Sequence, residues 1–277
     1  VSGISATSGI DALGAVFAGC RAEGRAALLG YLPVGYPTVD DSARLLSAVA
    51  DAGADLLEIG VPYSDPVLDG PTIQAATETA LRAGARLRDT FTVVERVANA
   101  GGRAVVMTYF NPVMRYGVER FARDLAAAGG LGMITPDLIP DEAGEWLEAA
   151  ATHGLAPTFL VAPSSTDERI AGTAAASRGF LYASAVMGVT GARDELGPAA
   201  AELVARCRPH TDLPIGVGLG VRSGAQAAQV AGFADAVIVG SALVSAAGEG
   251  EAALRALTGE LAEGVRRPVA AGAVTRG

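Results

Sequence analysis

A glutamate stands inside an apolar run, Leu56-Leu57-Glu58-Ile59-Gly60, and a loop with two aspartates follows at once: Val61-Pro62-Tyr63-Ser64-Asp65-Pro66-Val67-Leu68-Asp69-Gly70-Pro71. Taking a carboxylate out of water is costly unless it is paired or opens on a pocket, and desolvation raises its pKa. Glu58 therefore reads either as a satisfied core glutamate or as a general acid/base tuned toward neutrality. Asp-Pro and Asp-Gly pairs are common turn formers, so either aspartate alone could be structural. Taken with Glu58, Asp69 suggests a division of labour. One carboxylate moves protons while the other stays ionised and stabilises developing positive charge.

A second set of residues suits an anion. Met187-Gly188-Val189-Thr190-Gly191-Ala192, Gly216-Val217-Gly218-Leu219-Gly220 and Val239-Gly240-Ser241-Ala242 each follow or close an apolar run. Glycines let backbone N–H groups approach phosphate oxygens, and Ser241 at a helix start adds a hydroxyl donor.

Both sets need a scaffold that gathers loop residues at one end. Short apolar runs alternate with longer stretches of helical period, the pattern of repeated βα units. Eight runs read as strands, at 26–32, 55–60, 104–109, 132–135, 158–161, 180–184, 214–217 and 236–239. Eight is the number that closes a barrel whose active site lies at the C-terminal ends of its strands, with phosphate held after strands seven and eight. Leu45, Leu46 and Val49 mark one apolar helix face, and Phe121, Leu125 and Ala128 another. Thr38 followed by Asp41 reads as a helix N-cap. Ahead of the first strand, Leu13, Val16, Phe17 and Cys20 form a helical stripe able to close the barrel bottom. An open doubly wound sheet also alternates strand and helix, but Gly30-Tyr-Leu-Pro-Val-Gly35 is no dinucleotide fingerprint, because Pro33 breaks the helix start. The expected fold is an α/β (βα)8 TIM barrel with an extra N-terminal helix. It forms one domain over 1–264, with an Ala- and Gly-rich disordered tail at 265–277.

Composition narrows the function. The 277 residues carry 21 Lys+Arg against 30 Asp+Glu, a net charge of −9 that repels nucleic acid and anionic lipid. Cys20 and Cys207 are too few for a disulfide framework or a cysteine-rich metal site, and no metal is expected. The first ten residues lack the pattern of a secretory signal, and no run nears the roughly 20 apolar residues of a membrane span. The expected location is the cytoplasm.

The segment from Glu58 to Gln74 resembles the signature of the tryptophan synthase alpha subunit family, the lyases that cleave indole-3-glycerol phosphate to indole and glyceraldehyde 3-phosphate. The resemblance extends to Gly30–Pro37, Met107-Thr-Tyr-Phe-Asn-Pro112, Pro136-Asp-Leu-Ile-Pro140, Gly188-Val-Thr-Gly191 and Gly240-Ser241, and so spans nearly the whole chain. It implies a retro-aldol reaction, the last stage of tryptophan biosynthesis. Glu58 would protonate indole C3 and take the proton of the glycerol 3′-hydroxyl, and Asp69 would accept a hydrogen bond from the indole N–H. Tyr31, Met107, Tyr109 and Tyr182 fall at the family's indole pocket, Gly191, Gly220, Gly240 and Ser241 at its phosphate loops, and Thr190 in its mobile lid. Two positions depart from common relatives: Ser184-Ala-Val-Met187 lacks an arginine, and Tyr31 replaces a phenylalanine.

The resemblance also implies a pyridoxal-phosphate-dependent β subunit in an αββα assembly, faced by Asp65, Asn111 and Pro112. The chain contains no lysine, so no cofactor is expected in it and any pyridoxal phosphate belongs to the partner. Three alternatives stay open: a free-standing indole-3-glycerol phosphate lyase releasing indole, a sugar- or triose-phosphate isomerase with Glu58 as base, and a catalytically silent barrel serving as a regulatory subunit.

Overall fold

The computed structural model describes residues 8–185 and 198–267. Its eight apolar runs form β1 (Ala27–Pro33), β2 (Leu56–Gly60), β3 (Ala104–Met107), β4 (Gly132–Thr135), β5 (Ala156–Val161), β6 (Leu181–Ser184), β7 (Ile215–Gly218) and β8 (Ala236–Val239). All neighbours pair in parallel, and β8 returns to β1, so the sheet closes in sequence order. The strand pattern sorts side chains by parity. Leu28, Leu57, Ile59, Val106, Leu181 and Val237 belong to the core beneath the helices. Leu29, Leu56, Val105, Ile134, Phe180 and Ala236 belong to the core inside the barrel.

Helix α1 (Gly9–Ala22) closes the lower end. Ser8 caps it by accepting from the Asp11 N–H, and its stripe of Leu13, Val16, Phe17 and Cys20 joins the interior core. Phe17 and Phe180 rings meet there at 5.6 Å. The opening of the chain thus becomes the floor of the barrel, as the sequence predicts.

The floor is also tied electrostatically. Asp55, just before β2, accepts two hydrogen bonds from the Arg25 guanidinium at 2.8 Å and one from the Leu28 N–H at 2.9 Å. Asp235, just before β8, likewise accepts from Arg208 at 2.6 Å and from the Ile215 N–H at 2.8 Å.

The ring of helices is richer than one per strand. The predicted capping pattern opens α2 (Val39–Asp51), where Thr38 accepts from the Asp41 N–H. Two helices follow β2, α3 (Pro71–Arg82) and α4 (Leu87–Asn99), and two follow β3, α5 (Phe110–Tyr116) and α6 (Val118–Ala127). Among the described residues, single helices α7 (Gly144–His153), α8 (Asp167–Ala176), α9 (Ala199–Cys207) and α10 (Gly224–Ala231) come next, and β8 is followed by α11 (Ser241–Glu249) and α12 (Glu251–Val265). The added helices α3, α5 and α11 begin right after strands β2, β3 and β8 or their loops, at the rim where the chemistry-bearing residues lie. Of the expected tail, Val265 is the buried last residue of α12, and 268–277 lie outside the described residues.

Candidate active site

Strand β2 carries Glu58 into the upper interior, in register with Tyr31 of β1 and Val105 of β3. Its side chain is surrounded: Glu58 is 1 % exposed, and its Oε2 has no hydrogen-bond partner. Burial, and secondarily the negative charge of Asp69, push its carboxyl from the ordinary 4.5 up to about 8. Near neutral pH such a group exists in both protonation states, which is what a residue that both gives and takes a proton requires.

Asp69 reaches the same space from the loop above. It is half-buried, and burial raises its carboxyl above the usual aspartate range. The loop holding it is braced by Tyr109, at the start of α5: the Val67 and Leu68 N–H groups donate to the Tyr109 hydroxyl oxygen at 3.0 and 2.9 Å. Behind Asp69, Gln74 donates to its carbonyl oxygen at 2.6 Å, and Pro71 occupies the first turn of α3, where a missing N–H is harmless. Tyr109 itself stacks obliquely on Tyr63 at 5.1 Å, and Asn111 donates to the Tyr63 hydroxyl at 3.2 Å. Asp137 accepts from the Phe110 N–H at 2.9 Å and so holds the start of α5.

Between these elements lies a cavity of about 320 Å³. Glu58, Asp69, Tyr31, Met107, Tyr109 and Tyr182 all line it, which unites both carboxylates with the four residues expected to hold an aromatic ring. Burial holds the Tyr31 and Tyr182 phenols well above their ordinary value, helped by Asp69 and Glu58 at Tyr31 and by Glu58 at Tyr182, so both hydroxyls keep their protons. The same cavity is lined by Gly220, with φ of +83°, Gly240, and Ser241 as the first residue of α11. The first N–H groups of a helix have no partner within it and favour an anion. Thr190 and Gly191 lie outside the described residues.

Asp65, Asn111 and Pro112 are not in the cavity wall but on the rim. Close to them in sequence are exposed apolar side chains, Val67 79 % and Leu68 60 % exposed after Asp65 and Met114 two residues beyond Pro112. No group of three or more His, Cys, Asp or Glu among the described residues could hold a metal ion.

The family described as Tryptophan synthase alpha chain matches residues 17–269. The chain belongs to that family. It is 67 % identical over 250 residues to the tryptophan synthase alpha chain of Nocardia farcinica, covering 90 % of this chain and 94 % of that one. Against the alpha chain of Mycobacterium tuberculosis the identity is 66 % over 254 residues, with 92 % and 94 % covered. A solved chain of M. tuberculosis tryptophan synthase superposes with a TM-score of 0.88 at 65 % identity, covering 92 % of this chain and 98 % of that one. The tryptophan synthase subunit alpha of Legionella pneumophila keeps the fold at 29 % identity, with a TM-score of 0.84 and coverage of 94 % and 99 %. The alpha-chain family cleaves indole-3-glycerol phosphate, so this alpha chain is a carbon–carbon lyase of tryptophan biosynthesis built on a TIM barrel.

Two features of this alpha-chain site are not evident from motif reading. A Cβ on Gly60 would come within 2.3 Å of the Tyr31 hydroxyl, and one on Gly218 within 2.5 Å of the Tyr182 hydroxyl. Each glycine of a neighbouring strand thus makes room for a tyrosine ring. A glycine inside a strand is the available signal for such close approach, masked here by glycines in many turns. Leu160 of β5 and Ile73 of α3 also line the cavity, the former following from its inward strand parity.

Proposed function

We propose that the cavity binds indole-3-glycerol phosphate with its indole ring between Tyr31, Met107, Tyr109 and Tyr182 and its phosphate toward Gly220, Gly240 and Ser241, joined by Gly191. Protonated Glu58 delivers its proton to indole C3, and the resulting cation is stabilised by Asp69, which accepts a hydrogen bond from the ring N–H. The Glu58 carboxylate then takes the proton of the 3′-hydroxyl. The C3–C3′ bond breaks, its electron pair returns to the ring nitrogen system, and indole and glyceraldehyde 3-phosphate are formed. No proton is gained or lost overall, and the protonated indole ring serves as the electron sink. The observation that carries this reading is the unpartnered Glu58 carboxyl facing the same cavity as Asp69.

The rim supports a partner. Asp65, Asn111 and Pro112, with the exposed Val67, Leu68 and Met114, form the face that we assign to a pyridoxal-phosphate-dependent β subunit in an αββα assembly. An apolar rim of this kind is typical of an interaction site. The Tyr109 brace gives such a partner a route to the acidic loop, because Asn111, Tyr63, Tyr109 and Leu68 are linked in turn. Thr190 belongs in this reading to a lid that excludes water. The barrel through the end of α12 at Val265 is taken as one domain, and its buried free cysteines suit the reducing cytoplasm.

Indole release from indole-3-glycerol phosphate, by the purified chain with and without a tryptophan synthase β subunit, tests the proposal. Slow release that rises sharply with the β subunit supports it. Fast release by the isolated chain favours the free-standing lyase, and none in either case refutes the reaction.

A further inference from the structure

Among the described residues, the first cavity offers a dianion neutral donors alone. Gly220 and Gly240 offer backbone N–H groups, Ser241 adds a hydroxyl, and the charged residues in the cavity wall are the carboxylates Glu58 and Asp69. The chain has a net charge of −9 and no lysine. A phosphorylated substrate therefore approaches a surface whose average potential repels it.

A second cavity, of about 560 Å³, backs onto the phosphate end. Ser241 lines both cavities, and the second is also walled by Thr72, Arg222, Ser245 and Glu249. Arg222 stands two residues beyond Gly220, in the turn that leads from β7 to α10. Its backbone is anchored: its N–H donates at 2.8 Å to Oε1 of Gln226, a buried side chain of α10, while Ser223 caps that helix. Its guanidinium is exposed and has no ion pair among the described residues. Glu249 closes the far end of α11, roughly 12 Å along the helix from Ser241 at about 1.5 Å per residue. The carboxylate in this second cavity is thus separated from the phosphate loops, whereas the arginine is adjacent to them in the chain.

Building on the function proposed above, we infer that Arg222 is the specificity residue for the phosphate group, a cation behind the Gly220 and Ser241 donors that draws the dianion to this end of the site. It acts on binding and not on proton transfer, since Glu58 and Asp69 line the first cavity and Arg222 the second. A cation so placed raises the capture of anions in a manner that salt weakens. It also selects a phosphorylated substrate over its uncharged counterpart.

Three variants test this: Arg222→Ala, Arg222→Glu and Arg222→Lys. Titration calorimetry with inorganic phosphate reads the anion affinity without any reaction. Phosphate affinity falls about tenfold in Arg222→Ala, falls further in Arg222→Glu and is largely retained in Arg222→Lys, with the wild-type affinity dropping more steeply with salt than that of Arg222→Ala. Indole release changes in the same order through KM, while kcat stays near wild type. Absence of phosphate binding to the wild-type chain, equal affinities in the wild type and Arg222→Glu, or a loss confined to kcat would overturn the inference. A wild-type chain that binds phosphate but releases no indole would sink the proposed reaction and leave the calorimetric comparison to judge Arg222.

Discussion

Asp55, just before β2, and Glu58, at its centre, lie three residues apart, and the barrel treats them oppositely. Asp55, at the floor, receives both arms of the Arg25 guanidinium and a backbone N–H. Glu58, near the mouth, is more deeply buried yet keeps an oxygen without a partner. A carboxylate that the fold uses for stability is satisfied by fixed donors. One that is left unsatisfied is raised in pKa and available to a substrate. The same contrast runs through the interior: Leu29, Leu56 and Phe180 fill the floor around α1, while Tyr31, Glu58 and Tyr182, each two residues further along the same strands, surround an open cavity.

The contrast can be broken first at Glu58. Glu58→Gln is expected to lower indole release by about 10²–10⁴-fold, since general acid–base transfer is worth that much. It should not destabilise the chain. The unfolded chain titrates this carboxyl near 4.5 and the folded chain near 8, so the folded state holds the extra proton between these values and wild-type stability falls as pH rises through them. Unfolding curves should therefore show Glu58→Gln equal to wild type below pH 4.5 and more stable than wild type above pH 8. The opposite pattern is expected at the floor. Asp55→Asn should cost about 3 kcal/mol in chemical denaturation, because it strips Arg25 of its buried partner, while the folded fraction keeps its turnover.

A smaller effect sharpens the account of how Asp69 is held. Tyr109→Phe keeps the ring but removes the oxygen that accepts from Val67 and Leu68. Indole release should fall about tenfold, the loss of roughly one or two hydrogen bonds at about 1 kcal/mol each. Stimulation by the β subunit should shrink as well. Unchanged stimulation would mean that the Tyr109 hydroxyl brace carries no signal from the rim to the acidic loop.

Much of this arrangement is legible in the sequence because it follows from period and from local chemistry. The α1 stripe, the eight strands and the two carboxylates can be read from residue types at short spacing. The division of labour between Asp55 and Glu58 cannot, because Arg25 lies 30 residues before Asp55 and only strand register brings them together. The pairing of Gly60 with Tyr31 and of Gly218 with Tyr182 is hidden for the same reason. The predicted strand at 104–109 ends at Met107, because Tyr109 turns out of the ladder to start α5 and brace the acidic loop. Likewise, α3 begins where Asp69-Gly70-Pro71 reads as a turn, since proline and glycine mark a helix start as readily as a turn.

The most direct measurement is the titration of Glu58 itself, followed by carbon NMR of the glutamate side-chain carboxyl and assigned by its disappearance in Glu58→Gln. A midpoint near 8, far above the ordinary 4.5, is the result the account predicts. A midpoint at the ordinary glutamate value would mean that the carboxyl is solvated or paired, and would contradict the claim that the barrel leaves Glu58 unsatisfied for proton transfer.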